Sequence, residues 1–131
     1  MKFAEAIQTA DWKAEKHVPV IVAPETVKAG EKFVVELSVG KEIAHPNTTE
    51  HHIRSIRLYF KPDAGKFTYE VGSFEFSVHA ESTDGPNKGP VLSEPVTQAV
   101  LKLTGSGTLV AVAYCNIHGF WESSQTIAVE A

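Results

Sequence analysis

Phe33-Val34-Val35-Glu36-Leu37-Ser38-Val39 is the stretch that decides the fold. Phe33, Val35, Leu37 and Val39 share one parity, and Val34, Glu36 and Ser38 share the other. Successive side chains of a strand point to opposite faces, so this period of two predicts a strand half buried against a core. Working outward, Ile56, Leu58 and Phe60 alternate with Arg57 and Tyr59, and Pro62-Asp63-Ala64-Gly65 ends that strand. Phe67, Tyr69 and Val71 keep one parity while Phe74, Phe76 and Val78 keep the other, which predicts a bulge or bend at Gly72. Upstream, Val18 to Val22 reads as extended, with Pro19 pushing Val18 towards β geometry, and Lys28-Ala29-Gly30-Glu31 as a turn. Downstream, Val96–Thr104 and Thr108–Cys115 read as a hairpin around Gly105-Ser106-Gly107, and Thr126–Val129 as the closing strand. Thr83 to Pro95 is a loop, and Phe3 to Lys16 is the one helical candidate, interrupted at Thr9 to Asp11.

About seven strands with no helices between them predict an all-β fold, an immunoglobulin-like antiparallel β-sandwich with a short N-terminal helical or loop segment. The 131 residues are one domain's worth, residues 1–131, with no repeat or linker. At 43% hydrophobic and 21% charged, the chain is not a disordered tail. A single cysteine excludes an internal disulfide and any four-cysteine metal site. The net charge is −4 and no Lys/Arg cluster occurs, so a nucleic-acid footprint is absent. The N-terminus lacks the apolar core of a signal peptide, and no apolar run approaches the roughly 18 residues of a membrane helix. The expected compartment is the cytoplasm, with no membrane partner.

Six histidines beside one cysteine remain to be explained, since imidazole and thiolate are transition-metal ligands. Tyr114-Cys115-Asn116-Ile117-His118-Gly119 puts a thiol and an imidazole together at a strand end. Taken alone, Cys115 after Val112 and Ala113 is more simply a small buried hydrophobe. His45-Pro46-Asn47-Thr48-Thr49-Glu50-His51-His52 is a polar loop with three histidines and no packing rationale. His51 and His52 are adjacent, so at most one faces a given site. Glu15-Lys16-His17-Val18-Pro19 is a third cluster, otherwise a solvated stretch before the first strand. All three fall at strand ends or in loops, where a sandwich gathers its functional residues.

These three segments, in this order and spanning nearly the whole chain, resemble the single-iron superoxide reductases, also called neelaredoxins. The resemblance implies an immunoglobulin-like sandwich and a mononuclear iron, cycling between Fe2+ and Fe3+, with four histidines and one cysteine. Matched motif by motif, the ligands become His17, His45, His51, His118 and Cys115. Glu15 can take the sixth position in the oxidised form, and Lys16 lies beside the open face. The implied reaction is one-electron reduction of superoxide to hydrogen peroxide, fed by an external donor of rubredoxin type. The chain has neither the length nor the cysteines for the extra rubredoxin-like domain of one family branch. The family also implies a homo-oligomer, dimer or tetramer, paired through edge strands.

Two other readings compete. A cupredoxin-like copper protein uses two histidines, one cysteine and a weak axial ligand. Here the only methionine is Met1, Gln125 is the one late substitute, and two clustered histidines go unused. A metal-free adhesion module predicts scattered histidines instead. His52 and His79 match no ligand position and read as surface residues or neighbours of the ligand set. Phe120 and Trp121 read as core or rim on the sulfur side of the metal.

Overall fold

The computed structural model describes Met1–Ala131. One helical turn, α1 (Phe3–Ala6), precedes nine strands: β1 (Gln8–Thr9), β2 (Pro19–Val22), β3 (Thr26–Lys28), β4 (Phe33–Val39), β5 (Ile53–Pro62), β6 (Tyr69–Glu75), β7 (Val96–Leu101), β8 (Gly107–Cys115) and β9 (Gly119–Glu130). A larger sheet runs β1-β9-β8-β5-β6, with β3 also on β9, and a smaller one runs β2-β4-β7. The short β1 and β3 pair with β9 in parallel, and every other pair is antiparallel. No helix is long and apolar enough to cross a membrane.

The alternating stretch behaves as its pattern predicts. Phe33, Val35, Leu37 and Val39 are buried between the sheets, opposite Ile56, Leu58 and Phe60 of β5 and Leu109, Ala111 and Ala113 of β8. The same inward parity of β8 ends on Cys115, which is fully buried. The thiol is thus the last core residue of a central strand, facing the end of the sandwich. The parity switch near Gly72 is a bulge: Leu58 pairs with Gly72 and Tyr59 with Glu70, leaving Val71 extra.

Three expectations change. The N-terminal helix stops after one turn, because Ile7 turns extended and Gln8–Thr9 pair with β9; further on, Asp11 turns the chain, its side chain accepting the Lys13 N–H and its carbonyl the Ala14 and Glu15 N–H groups. Val96–Thr104 and Thr108–Cys115 do not form a hairpin. β7 pairs with β4 in the small sheet, whereas β8 lies between β5 and β9 in the large one. Gly107 is required for packing, since a Cβ there would collide with the Lys61 carbonyl and the Phe60 ring. The true hairpin is β8–β9, with Cys115 opposite Gly119 and Gly119 at φ +78°. The closing strand is consequently twelve residues long, not the four of Thr126–Val129.

Candidate metal centre

Three chain segments meet at one end of the sandwich: Glu15 to His17 leading into β2, the loop 45–52 entering β5, and the 116–118 tip of the β8–β9 hairpin. The donor atoms of His17, His45, His51 and Cys115 all lie within 4.8 Å of one another. One ion bonded at about 2.0 Å to nitrogen and about 2.3 Å to sulfur, the values for zinc, holds opposite donors roughly 4–5 Å apart. His118 joins from the exposed side. Its Nδ1 is 3.1 Å from His17 Nε2, 3.2 Å from His51 Nε2 and 3.7 Å from Cys115 Sγ.

The far nitrogens of two rings are already committed. His45 Nδ1–H donates to the Pro46 carbonyl at 2.6 Å, and His17 Nδ1–H donates to Glu15 Oε1 at 2.6 Å. Such bonds fix the tautomer, so the lone pair sits on the nitrogen facing the centre. His45 Nε2 is buried there with no hydrogen-bond partner. A buried, unpaired nitrogen is costly in a native structure and calls for an absent partner. Nitrogen and thiolate donors with one unsatisfied lone pair fit a transition-metal ion such as iron.

Electrostatics agree. Burial lowers the His45 pKa to about 4, with the neighbouring charges of His17, His51 and Lys16 adding to it. Burial also lowers His51, helped by His118, His17 and Lys16. Both rings are therefore neutral near pH 7, as metal ligation requires. The His118 N–H donates to Cys115 Sγ at 3.4 Å, a contact that tunes a thiolate ligand.

His17, His45, His51, His118 and Cys115 come together at this end of the sandwich, while Glu15 and the aromatics sit differently from expectation. Glu15 sits on the outer nitrogen of His17 and is not among the converging donor atoms; the His17 hydrogen bond is the largest cause lowering its carboxyl pKa. Lys16 is partly buried, and its charge acts on Glu15, His45 and His51. Trp121 packs on the His17 ring, 4.9 Å away and 16° from parallel, and its Nε1–H donates to the His118 carbonyl. Phe120 instead packs on Tyr114 and Phe3. Gln125 is remote, its amide donating to the Ala23 carbonyl, so the copper reading loses its axial ligand. His52 and His79 are buried, 3% and 2% exposed, and stack on each other away from the centre. They were not legible as a pair because they lie on separate loops, 27 positions apart in the chain. Asn116 is a further unanticipated contributor. Its Oδ1 accepts the His52 N–H and its Nδ2 donates to the Glu50 carbonyl, joining hairpin tip to loop.

Fold and site together define a β-sandwich protein with one histidine–cysteine centre of metal-binding type at its end. The sequence pattern of the desulfoferrodoxin family matches residues 9–124, and the chain belongs to that family. It is 57% identical to the neelaredoxin of Megalodesulfovibrio gigas over 130 residues, 99% of this chain and 100% of that one. It is 53% identical to the superoxide reductase of Pyrococcus furiosus over 124 residues, 95% of this chain and 98% of the other. The reduced-form structure of the Archaeoglobus fulgidus superoxide reductase (neelaredoxin) superposes with a TM-score of 0.87 at 52% identity, covering 93% of this chain and 98% of that one.

Proposed function

We infer that this chain is a superoxide reductase, an iron oxidoreductase that carries out O2•− + e− + 2H+ → H2O2. The carrying observation is the partnerless His45 Nε2, buried among the donor atoms of His17, His51 and Cys115. Family membership and whole-length superoxide reductase relatives support the same reading. Iron, when bound, supplies the one-electron couple that passes the electron to superoxide.

We propose that residues 1–131 act as one iron-binding domain, with His17, His45, His51, His118 and Cys115 as ligands. In that arrangement the Pro46 carbonyl and the Glu15 carboxylate hold the His45 and His17 rings in their ligating tautomers. The His118 N–H takes up part of the Cys115 sulfur charge. Glu15, released from His17, would supply a further carboxylate ligand when the iron is oxidised. Lys16 supplies the local cation that draws a superoxide anion to a chain of net charge −4. His118 is exposed, so a small anion and solvent protons meet the centre at the surface. The protons come from water.

The electron comes from an external donor, which we propose to be of rubredoxin type, in the cytoplasm. Exposed Val22, Val34, Val96 and Val100 on the small sheet support a homo-oligomer, a dimer or tetramer. Rapid mixing of the reduced, iron-loaded protein with superoxide tests the activity. One iron per chain, peroxide formed without oxygen release, and loss of both iron and activity in Cys115→Ser are expected. Copper with an intense blue band, or superoxide decay with oxygen release, would overturn the reading.

A further inference from the structure

The two remaining histidines form a second, quite different cluster. His52 and His79 stack with centroids 3.5 Å apart and planes 10° from parallel. His52 Nδ1–H donates to the Thr48 carbonyl at 2.9 Å, and its Nε2 receives the Arg54 guanidinium at 3.2 Å. A guanidinium only donates, so His52 is neutral with its proton on Nδ1. His79 Nε2–H donates to the Phe76 carbonyl at 2.7 Å, and its Nδ1 lies 3.0 Å from Asn47 Oδ1.

Around this stack, the loop that carries His45 and His51 is tied to the segment 76–93. Asn47 Nδ2 donates to the Ser93 carbonyl at 3.0 Å, and Thr49 Oγ1 donates to the His79 carbonyl at 2.6 Å. The Thr49 N–H donates to Asn87 Oδ1, and the Asn87 N–H returns a bond to Thr49 Oγ1. Asn47, Thr48, Thr49 and His52 are thereby fixed, so His45 and His51 are bracketed by restrained neighbours. Ordering a residue costs backbone entropy, and a loop ordered beforehand leaves that cost out of metal binding.

We propose that the His52–His79 stack is a positioning element. It pre-orders loop 45–52 against the segment 76–93 and holds His45 and His51 in the geometry that receives the metal. The proposal rests on the iron-binding reading above for its consequence, though not for the clamp itself. His79 touches no ligand atom; it acts through His52 and Asn47.

Two variants test it. His79→Phe keeps a ring to stack on His52 but removes the ring's polar contacts with the Phe76 carbonyl and Asn47. Asn47→Ala, in the partly buried loop, removes only the bonds made by that side chain. Leu109→Val, a core change remote from the centre on β8, is the control for general loss of stability. Amide hydrogen exchange at Thr49 and His51 is read in metal-free protein. Chelator competition for iron and the ferric absorption band are read in loaded protein. Both loop variants should exchange at least about tenfold faster at these amides, as freed loops do. Both should hold iron about tenfold to a hundredfold more weakly, with a displaced ferric band, the usual effect of losing a ligand's supporting partners. Exchange, iron affinity and spectrum no different from Leu109→Val would overturn the proposal. If His79→Phe does not fold, Asn47→Ala decides it by the same measurements. If wild type takes up no iron, the iron-binding reading falls, while the exchange rates still decide whether the clamp exists.

Discussion

The four converging histidines and the stacked pair use the same side chain in opposite ways. In His52 and His79 each ring nitrogen has a protein group beside it: a carbonyl, an amide oxygen or a guanidinium. In the centre, inward nitrogens of His17, His51 and His118 face one another at 3.1–3.2 Å, and His45 Nε2 has no hydrogen-bond partner. His118 Nδ1 has at most one proton to share with His17 Nε2 and His51 Nε2, and none reaches His45 Nε2, so a cation is the partner the cluster lacks. Each ring of the stacked pair has a hydrogen-bond partner as folded, whereas His45 Nε2 in the centre gains one only with a metal. Polar satisfaction, more than histidine count or burial, separates a structural cluster from a binding one.

The largest test removes the ion's hold altogether. Cys115→Ser and His45→Ala should each abolish stoichiometric iron and superoxide reduction, checked by metal analysis and rapid mixing. His45→Ala should leave the metal-free protein folded, because its Nε2 has no partner to lose and the ring's one bond, to the neighbouring Pro46 carbonyl, is worth about 1 kcal/mol. A metal-free protein that unfolds in that variant would erase the distinction between the clusters.

His51 and His52 allow a sharper test, as adjacent residues on opposite sides of it. His51→Ala should lose iron while leaving metal-free stability nearly unchanged. His52→Ala strands the Thr48 carbonyl and opens a void beside His79, at a cost of about 1–3 kcal/mol. Urea unfolding of the two metal-free variants gives both numbers, and equal losses would break the comparison.

Much of this was legible in the chain. The parity of Phe33–Val39, of Ile56–Phe60 and of the strand ending at Cys115 fixes which side chains face inward, and that follows from pleat geometry alone. The opposite facing of His51 and His52 follows from the same rule. Strand partners were less legible. Gly105-Ser106-Gly107 marks a change of direction, but whether β7 pairs with β8 or crosses to β4 depends on which sheet each strand completes. The Gly119 turn was hidden inside the ligand motif, where Asn116 to His118 serve chemistry and hairpin together. The His52–His79 stack, the Trp121–His17 contact and the Glu15–His17 bond depend on tertiary approach between distant segments, which no local pattern encodes.

Lys16 carries a smaller effect, on approach and not on assembly. Its charge is felt at His45 and His51, on the face proposed to receive superoxide. Lys16→Ala should slow the second-order reaction with superoxide by about threefold to tenfold and flatten its ionic-strength dependence, as loss of local steering does. Iron content should stay at one per chain. An unchanged rate at low salt would remove Lys16 from the encounter.

The smallest effect is on pH dependence, and it engages both clusters. Burial lowers the His45 pKa from 6.5 to about 4, and burial is also the first cause lowering His51 and His79. Between pH 6.5 and about 4 the unfolded chain binds a proton at His45 that the folded chain refuses. More protons bound in the unfolded state means stability rises with pH, so metal-free protein should lose stability as pH falls through this window. For His45 the loss is complete once pH is below its folded pKa. Urea midpoints of metal-free protein at pH 7.5, 6.0 and 4.5 measure the slope. In His45→Ala the slope should shrink without vanishing, because burial still holds the His51 and His79 pKa values down. A slope that disappeared with His45 would mean His51 and His79 titrate alike folded and unfolded.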